Sequence, residues 1–451
     1  MFPVLIVVLV LLVYAWIVYP AVVLLVGRRA SRQWAVGPPQ ADAPVAHSGQ
    51  KEEGKMPHVA ILFSAHNEES VILKRLENLA ALDYPAERLH VFVGVDGGSD
   101  RTAEIALEWA RTHPLPLQGG DPEKAKSHPQ VHVIVSPENH GKTAMLKRLV
   151  REGGGRSVED TLTLTLSPEG RGNSASSSPF RGEDRGEGVN WTEILVFTDA
   201  NTVFAKDALR CLVEPFGDPK VGGVCGQLVF LDSTGAETRE NLYWRTETLL
   251  KTAESRLDSC LGANGAIYAI RPELFWDGIP ESTIIDDFVI GMKVRERGFQ
   301  MIYEPQALAY EPTPARIADE WRRRVRIGAG AFQAMAYCRA CLAPRYGRFA
   351  LFFWSHKILR WFTPHLMVLL AVVATVNLIY GSAYSRAGAA VILVAGVGFA
   401  ALAVLGRIMG PSSPLKAFEY FLSMQVALFV GFLRYCRGGL KGTWERTERG
   451  G

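Results

Sequence analysis

The stretch ILVFTDAN, Ile194–Asn201, runs through four strand-forming apolar residues and a threonine into an acid, an alanine and an amide. Apolar side chains at successive rather than alternate positions leave no face for water. Such a strand is expected to be covered on both sides, as in a mostly parallel sheet packed between helices. Its end is a separate matter. Asp199 and Asn201 stand two positions apart and project the same way off an extended chain. Two oxygen-bearing side chains so placed suit a hard cation, the partner of a phosphate-binding loop, or a plain turn.

Outward from this strand the same unit recurs. HVAILFSA (58–65) is a strand, and EESVILKRLENLAAL (68–82) has helical spacing through Val71, Leu73, Leu76, Leu79 and Leu82. LHVFVGVD (89–96) precedes the helical DRTAEIALEWARTH, and QVHVIVS (130–136) precedes KTAMLKRLV. Strands alternating with helices predict an α/β domain whose site lies at the carboxyl ends of the strands. The Gly-, Ser- and Arg-rich stretch 153–188 breaks the rhythm and reads as a disordered surface insertion without a catalytic role.

A chain of 451 residues exceeds what one core organises. Met1–Gly27 is almost uncharged and long enough to cross a bilayer, and it lacks a basic start and a cleavage site. The expectation is an uncleaved anchor over 1–26, followed by a polar linker over 27–57. The sequence GRRASRQ after the anchor puts the next domain in the cytoplasm. A catalytic domain over 58–345 ends in a basic amphipathic segment (IADEWRRRVRIGAGAFQAMAYC) expected at the membrane interface. A membrane domain over 346–436 carries about three spans, at Pro364–Tyr380, Ala389–Leu405 and Ala417–Phe432, before a basic tail over 437–451. Three spans leave that tail outside, against the positive-inside rule, so one segment is re-entrant or interfacial or a further crossing lies within 349–363. A net charge of +3 gives no reason to expect nucleic acid as a partner. The lone Cys338–Cys341 pair, without a second pair, is not read as a metal site.

The strand ends supply the chemistry. SPENHGKT (136–143) nearly matches the phosphate-cradling GxxxxGK[ST] loop, which would make the chain a membrane-tethered nucleotide hydrolase. Ser136 replaces its first glycine, however, and Pro137 removes an amide donor. Sugar transfer from a nucleotide diphosphate uses all the motifs together. It needs an acid for the nucleoside, hard oxygen ligands for a divalent cation, basic groups on the leaving diphosphate and a carboxylate to take the acceptor proton. Asp96, Asp199 with Asn201, Lys142 with Arg322–Arg324, and Asp287 can fill these roles in that order.

Taken in order, SAHNEES, VDGGSDRT, NHGKTAMLK, VFTDAN, GANGAIYAIR, IDDFVIGMKVRERGF and EWRRRVRIGAG resemble the family 2 glycosyltransferases of the GT-A fold. They are most similar to the membrane-embedded branch that includes poly-N-acetylglucosamine, hyaluronan, chitin and cellulose synthases. The resemblance implies that Ala65 and Glu68 line the nucleotide pocket, that Asp96 binds the uracil and ribose end, and that Lys142 contacts the nucleotide. It makes Asp199 the first ligand of a D-x-D site for Mg²⁺ or Mn²⁺, with Asn201 at the second position. Asp286 and Asp287 form the acidic pair with Asp287 as base, Asn264 and Gly265 border the acceptor, and Arg323 and Arg324 belong to the diphosphate clamp.

Two positions depart from the family pattern. Asn201 is neutral where the family has an acid, and Trp321–Val325 keeps the arginines of Q-x-x-R-W without its Gln or terminal Trp. Single transfer and chain elongation both stay open. The expectation is therefore an inner-membrane, multi-pass hexosyl- or N-acetylhexosaminyl-transferase with a cytoplasmic site, using a UDP-sugar and a glycan or lipid-linked acceptor among membrane lipids. A degenerate membrane protein that binds nucleotide-sugar without turnover is the remaining alternative.

Overall fold

The computed structural model describes residues 2–30, 56–113, 129–153, 192–231, 242–312, 317–410, 413–438 and 440. The insertion beyond Gly153, most of the 27–57 linker and most of the 437–451 tail lie outside the described residues. The strands are β1 (Val59–Ala65), β2 (Leu89–Asp96), β3 (Gln130–Ser136), β4 (Ile194–Phe197), β5 (Val203–Phe204), β6 (Val221–Leu231), β7 (Tyr268–Ile270) and β8 (Gln300–Pro312). They form one sheet in the order β3-β2-β1-β4-β7-β6-β8-β5.

Strands β1 to β4 are parallel, as the continuous apolar runs predict. The sheet as a whole is mixed. β7 lies antiparallel between β4 and β6, and β5 pairs antiparallel with β8. β7 follows the GANGA turn, which sits beside Asp199 at the carboxyl edge, so the chain enters the sheet from that edge and runs back.

Alternate residues of β1 feed two cores. Ala60 and Leu62 join Leu195, Phe197 and Tyr268 on one face, while Val59, Ile61, Phe63 and Ala65 join Ile194, Val196 and Ala269 on the other. The helix Glu69–Ala80 is phased differently from the expected stripe: Ile72, Arg75, Leu76 and Leu79 are buried. Leu73 stays 46% exposed. Cys338 and Cys341 are core residues, and burial pushes the Cys341 thiol up to about 12, which leaves it inert.

At the β2–β3 end of the sheet, the His132 ring stacks on Phe92 with centroids 4.5 Å apart, and its Nε2 lies 3.5 Å from His90 Nδ1. Burial first, and His90 second, hold His132 down at about 4 against an ordinary 6.5. The unfolded chain therefore takes up this proton before the fold does. The associated stability is whole above pH 6.5 and is lost as the pH falls toward 4, by roughly 3 kcal/mol at the limit. Thermal unfolding of the wild type should weaken over that window, and His132→Gln should flatten the dependence.

Among the described residues, four helices are long and apolar enough to cross a membrane: Phe2–Arg29, Thr363–Tyr380, Ala383–Ile408 and Lys416–Arg437. In the segment from Phe349 to Ile358, Phe349, Phe352, Phe353 and Ile358 are buried in the domain core. The amphipathic segment forms the helix Ile317–Tyr337. It packs so closely on Lys416–Arg437 that a methyl group at Gly431 would stand 2.6 Å from the Ala329 amide nitrogen. It is thus a partner of the last apolar helix as well as an amphipathic surface.

The first helix is longer than the expected anchor. Its 28 residues span about 42 Å against the roughly 30 Å of a hydrocarbon layer, and its far end docks into the domain through Tyr19 and Val23. A buried charge network closes this junction. Tyr19 donates to Glu254 at 2.6 Å, and His356 binds Glu254 through Nδ1 at 2.7 Å and Glu247 through Nε2 at 2.8 Å. Lys357 also donates to Glu247. The imidazole thus bridges two buried carboxylates, one at each ring nitrogen.

Candidate functional site

Four strand-end segments converge. Lys142 opens the helix Lys142–Gly153 after β3, and its Nζ donates to Asp199 Oδ1 at 2.6 Å, just past β4. Gly265, before β7, marks the common point. A methyl group there would lie 3.3 Å from Asp199 Oδ2, 3.3 Å from Lys142 Nζ and 3.4 Å from Asp287 Oδ2. Only a residue without a side chain leaves the three charged groups facing one space. Asp286 and Asp287 begin the helix Asp286–Glu296, where its unpaired amides favour negative charge.

The electrostatics follow from this crowding. Burial, then neighbouring Asp286, pushes Asp287 up to about 6, although Lys142 opposes the rise. Burial also raises Asp286, whose Oδ2 has no hydrogen-bond partner. For Lys142, burial favours the neutral amine, but Asp199, Asp286 and Asp287 outweigh it and keep the cation. A carboxylate poised near 6 is matched to accepting a proton at neutral pH. A fixed ammonium beside it is matched to an anion.

Residues 60–158 match the model described as glycosyl transferase family 2, and residues 194–405 match that of glycosyl transferase family group 2. The chain belongs to glycosyltransferase family 2. It is 25% identical over 287 residues to a probable glycosyltransferase, YdaM, of Bacillus subtilis, covering 61% of this chain and 56% of that protein. It is 20% identical over 300 residues to a poly-beta-1,6-N-acetyl-D-glucosamine synthase of Staphylococcus epidermidis, covering 63% and 57% respectively. The chain thus spans little more than half the length of these curated relatives. A solved mannosyltransferase from Pyrobaculum calidifontis, in complex with GDP-Man and Mn²⁺, superposes with a TM-score of 0.63 at 21% identity. That match covers 96% of this chain and 99% of the other, so the shared fold is GT-A with its flanking helices.

The family 2 frame places the remaining expected residues. Ala65 ends β1 with no exposed surface, and the Glu68 amide donates to Thr102 Oγ1 at 2.8 Å. Asp96 is fully buried, and its two oxygens accept the amides of His140 at 3.0 Å and Gly141 at 2.7 Å. It shapes the loop and reaches any nucleoside only through its remaining lone pairs. The same two bonds remove the phosphate-cradle reading. The amides that would hold a phosphate already hold a carboxylate, and Lys142 points to Asp199 instead.

Asn264 does not present its amide to an acceptor. Nδ2 donates to the Gly226 carbonyl at 2.8 Å and Oδ1 accepts from Ile267 N at 3.2 Å, so the side chain folds its own turn. The arginine assignment also shifts. Arg324 binds Glu320 at 2.7 Å and Ser423 at 3.0 Å and covers the Tyr420 ring, and Arg323 pairs with Glu320 at 3.6 Å. These contacts hold Arg324 against the last apolar helix. Arg326 lies about 200° further round the helix; burial, then Arg323, pulls its guanidinium below the ordinary value, and Asp286, Asp199 and Asp287 oppose that fall. Four arginines in the five positions 322–326 hid this, because the chain beyond the helix decides which of them it holds.

Gln333 is the other residue that sequence reasoning missed. Its amide donates to Ser282 O and accepts from Ile284 N, both at 3.0 Å, clamping the loop that leads into Asp286. A buried glutamine inside GAGAFQAMAY was the available signal.

Proposed function

We propose that this protein is a membrane-embedded inverting glycosyltransferase with a cytoplasmic site. It moves one sugar from a nucleotide-diphosphate sugar, in first place a UDP-sugar, to a hydroxyl of a glycan or lipid-linked acceptor. The convergence of Lys142, Asp199 and Asp287 around Gly265 carries this reading. Asp287 removes the acceptor proton as the acceptor oxygen bonds to the anomeric carbon. The bond from that carbon to the diphosphate breaks, and the leaving group takes the electron pair. Lys142 and Arg326 hold the departing diphosphate, and the Gln333 clamp fixes the segment that carries Asp287.

The residues also fit a divalent cation. Asp199 keeps Oδ2 clear of Lys142, and the buried Asn201 Nδ2 has no partner, so its amide is not tied down. One carboxylate and one amide oxygen leave room for the water and phosphate oxygens that Mg²⁺ and Mn²⁺ keep. When bound, such a cation supplies positive charge at the diphosphate. The relatives' names point to two donor chemistries, GDP-Man for the solved mannosyltransferase and N-acetylglucosamine for the poly-beta-1,6 synthases.

The deciding experiment is a panel of UDP- and GDP-activated hexoses and N-acetylhexosamines with full-length protein in detergent plus Mn²⁺ or Mg²⁺. It reads nucleoside diphosphate release and product length. One donor class should be cleaved by the wild type and spared by Asp287→Asn. Equal release from both proteins, or ATP hydrolysis independent of sugar, sinks the reading.

A further inference from the structure

The buried stripe of the helix Glu69–Ala80 contains one charged residue. Arg75 is 1% exposed, between Ile72, Leu76 and Leu79, yet makes no ion pair among the described residues. Its Nε has no partner. Burying an unpaired guanidinium costs several kcal/mol, whereas a leucine here would simply continue the stripe. Its hydrogen bonds show where that cost is directed.

Nη2 donates to Thr198 Oγ1 at 2.8 Å, and Thr198 Oγ1 donates onward to the Ala266 carbonyl at 2.7 Å. Nη1 donates to Asn78 Oδ1 at 2.9 Å, and Asn78 in turn accepts from Phe204 N at 2.8 Å and donates to Phe204 O at 2.9 Å. The Phe204 ring lies 4.3 Å from the guanidinium carbon. Thr198 and Phe204 are the two ends of the turn that bears Asp199 and Asn201, and Ala266 follows Gly265.

We propose that Arg75 is the positioning residue of the Asp199–Asn201 turn, a buried cation that grips both its ends and sets its distance from Gly265. It touches no substrate. Arg75 acts on Asp199 through the turn, while Lys142 bonds the acid directly at 2.6 Å, so two positive charges bear on it. Burial pulls the guanidinium below its ordinary value, and Asp199, then Glu311, opposes that fall. The consequence for donor binding rests on the function proposed above. The geometry of the turn does not.

The test uses full-length protein in detergent with Thr198→Val, Arg75→Lys and Arg75→Met. The readouts are donor KM, acceptor KM, kcat, Mn²⁺-dependent binding of UDP and GDP by calorimetry, and amide hydrogen exchange over 198–204 and 264–267. Thr198→Val and Arg75→Met should raise donor KM and weaken nucleotide binding about tenfold, the worth of one hydrogen bond to a charged group. Acceptor KM should stay unchanged, and exchange should quicken in both segments. Arg75→Lys, which keeps the charge and one donor, should recover part of the loss. Thr198→Val decides the matter if Arg75→Met does not fold. Wild-type donor KM and wild-type exchange in Thr198→Val overturn the inference. If the wild type transfers from no donor, the function falls, and exchange with nucleotide binding still decides the role of Arg75.

Discussion

Asp287→Asn should lower kcat by about 10²- to 10⁴-fold, the usual worth of a positioned general base, while leaving donor KM within a few-fold. The asparagine preserves shape and can still accept from the Phe288 amide, which bonds Asp287 Oδ1 at 2.8 Å. What it loses is the ability to take a proton. Asp286 is a poor substitute because it is only 3% exposed, and Asp287 Oδ2, not Asp286, is among the three atoms nearest a methyl group at Gly265. Steady-state transfer with saturating donor separates the outcomes. A fall confined to donor KM would make Asp287 a binding group, and an unchanged kcat would remove it from the chemistry.

His356→Leu should cost about 3–5 kcal/mol of stability, the penalty for leaving buried charge without its partner. Glu254 has no exposed surface and keeps only the Tyr19 hydroxyl, while Glu247 keeps Lys357. Burial works to raise the Glu247 carboxyl, but His356 and Lys357 hold it well below the usual carboxylate range. In the variant Glu254 stays buried without its His356 contact. Thermal unfolding in detergent measures the loss, and adding Glu254→Gln to His356→Leu should restore part of it by removing the stranded charge. The pair of variants also reports on docking, since Tyr19 binds Glu254 from the first apolar helix. A single variant as stable as wild type would show that the His356 bridge contributes nothing to the fold.

Much of this was legible in the residues. Continuous apolar strands alternating with helices determined an α/β sheet covered on both faces, and the polar strand ends located Lys142, Asp199 and the Asp286–Asp287 pair. The apolar segments determined the helices able to cross a membrane. These are local properties: spacing along a few turns or one strand decides which face is buried.

Other features belong to the tertiary structure alone. Which of four neighbouring arginines is held against the last apolar helix depends on how Ile317–Tyr337 is rotated against Lys416–Arg437. The inward turn of Asn264, the antiparallel entry of β7 and the docking of Tyr19 on Glu254 are decided in the same way. The Lys142–Asp199 contact joins residues 57 positions apart, and the His356–Glu254 contact joins residues 102 apart. No local period encodes such pairs, because they form only once the two cores have packed and the polar groups left inside must find partners. Arg75 shows both levels. The sequence placed it on a helix between leucines, and only packing turned that position inward, beneath the Asp199–Asn201 turn.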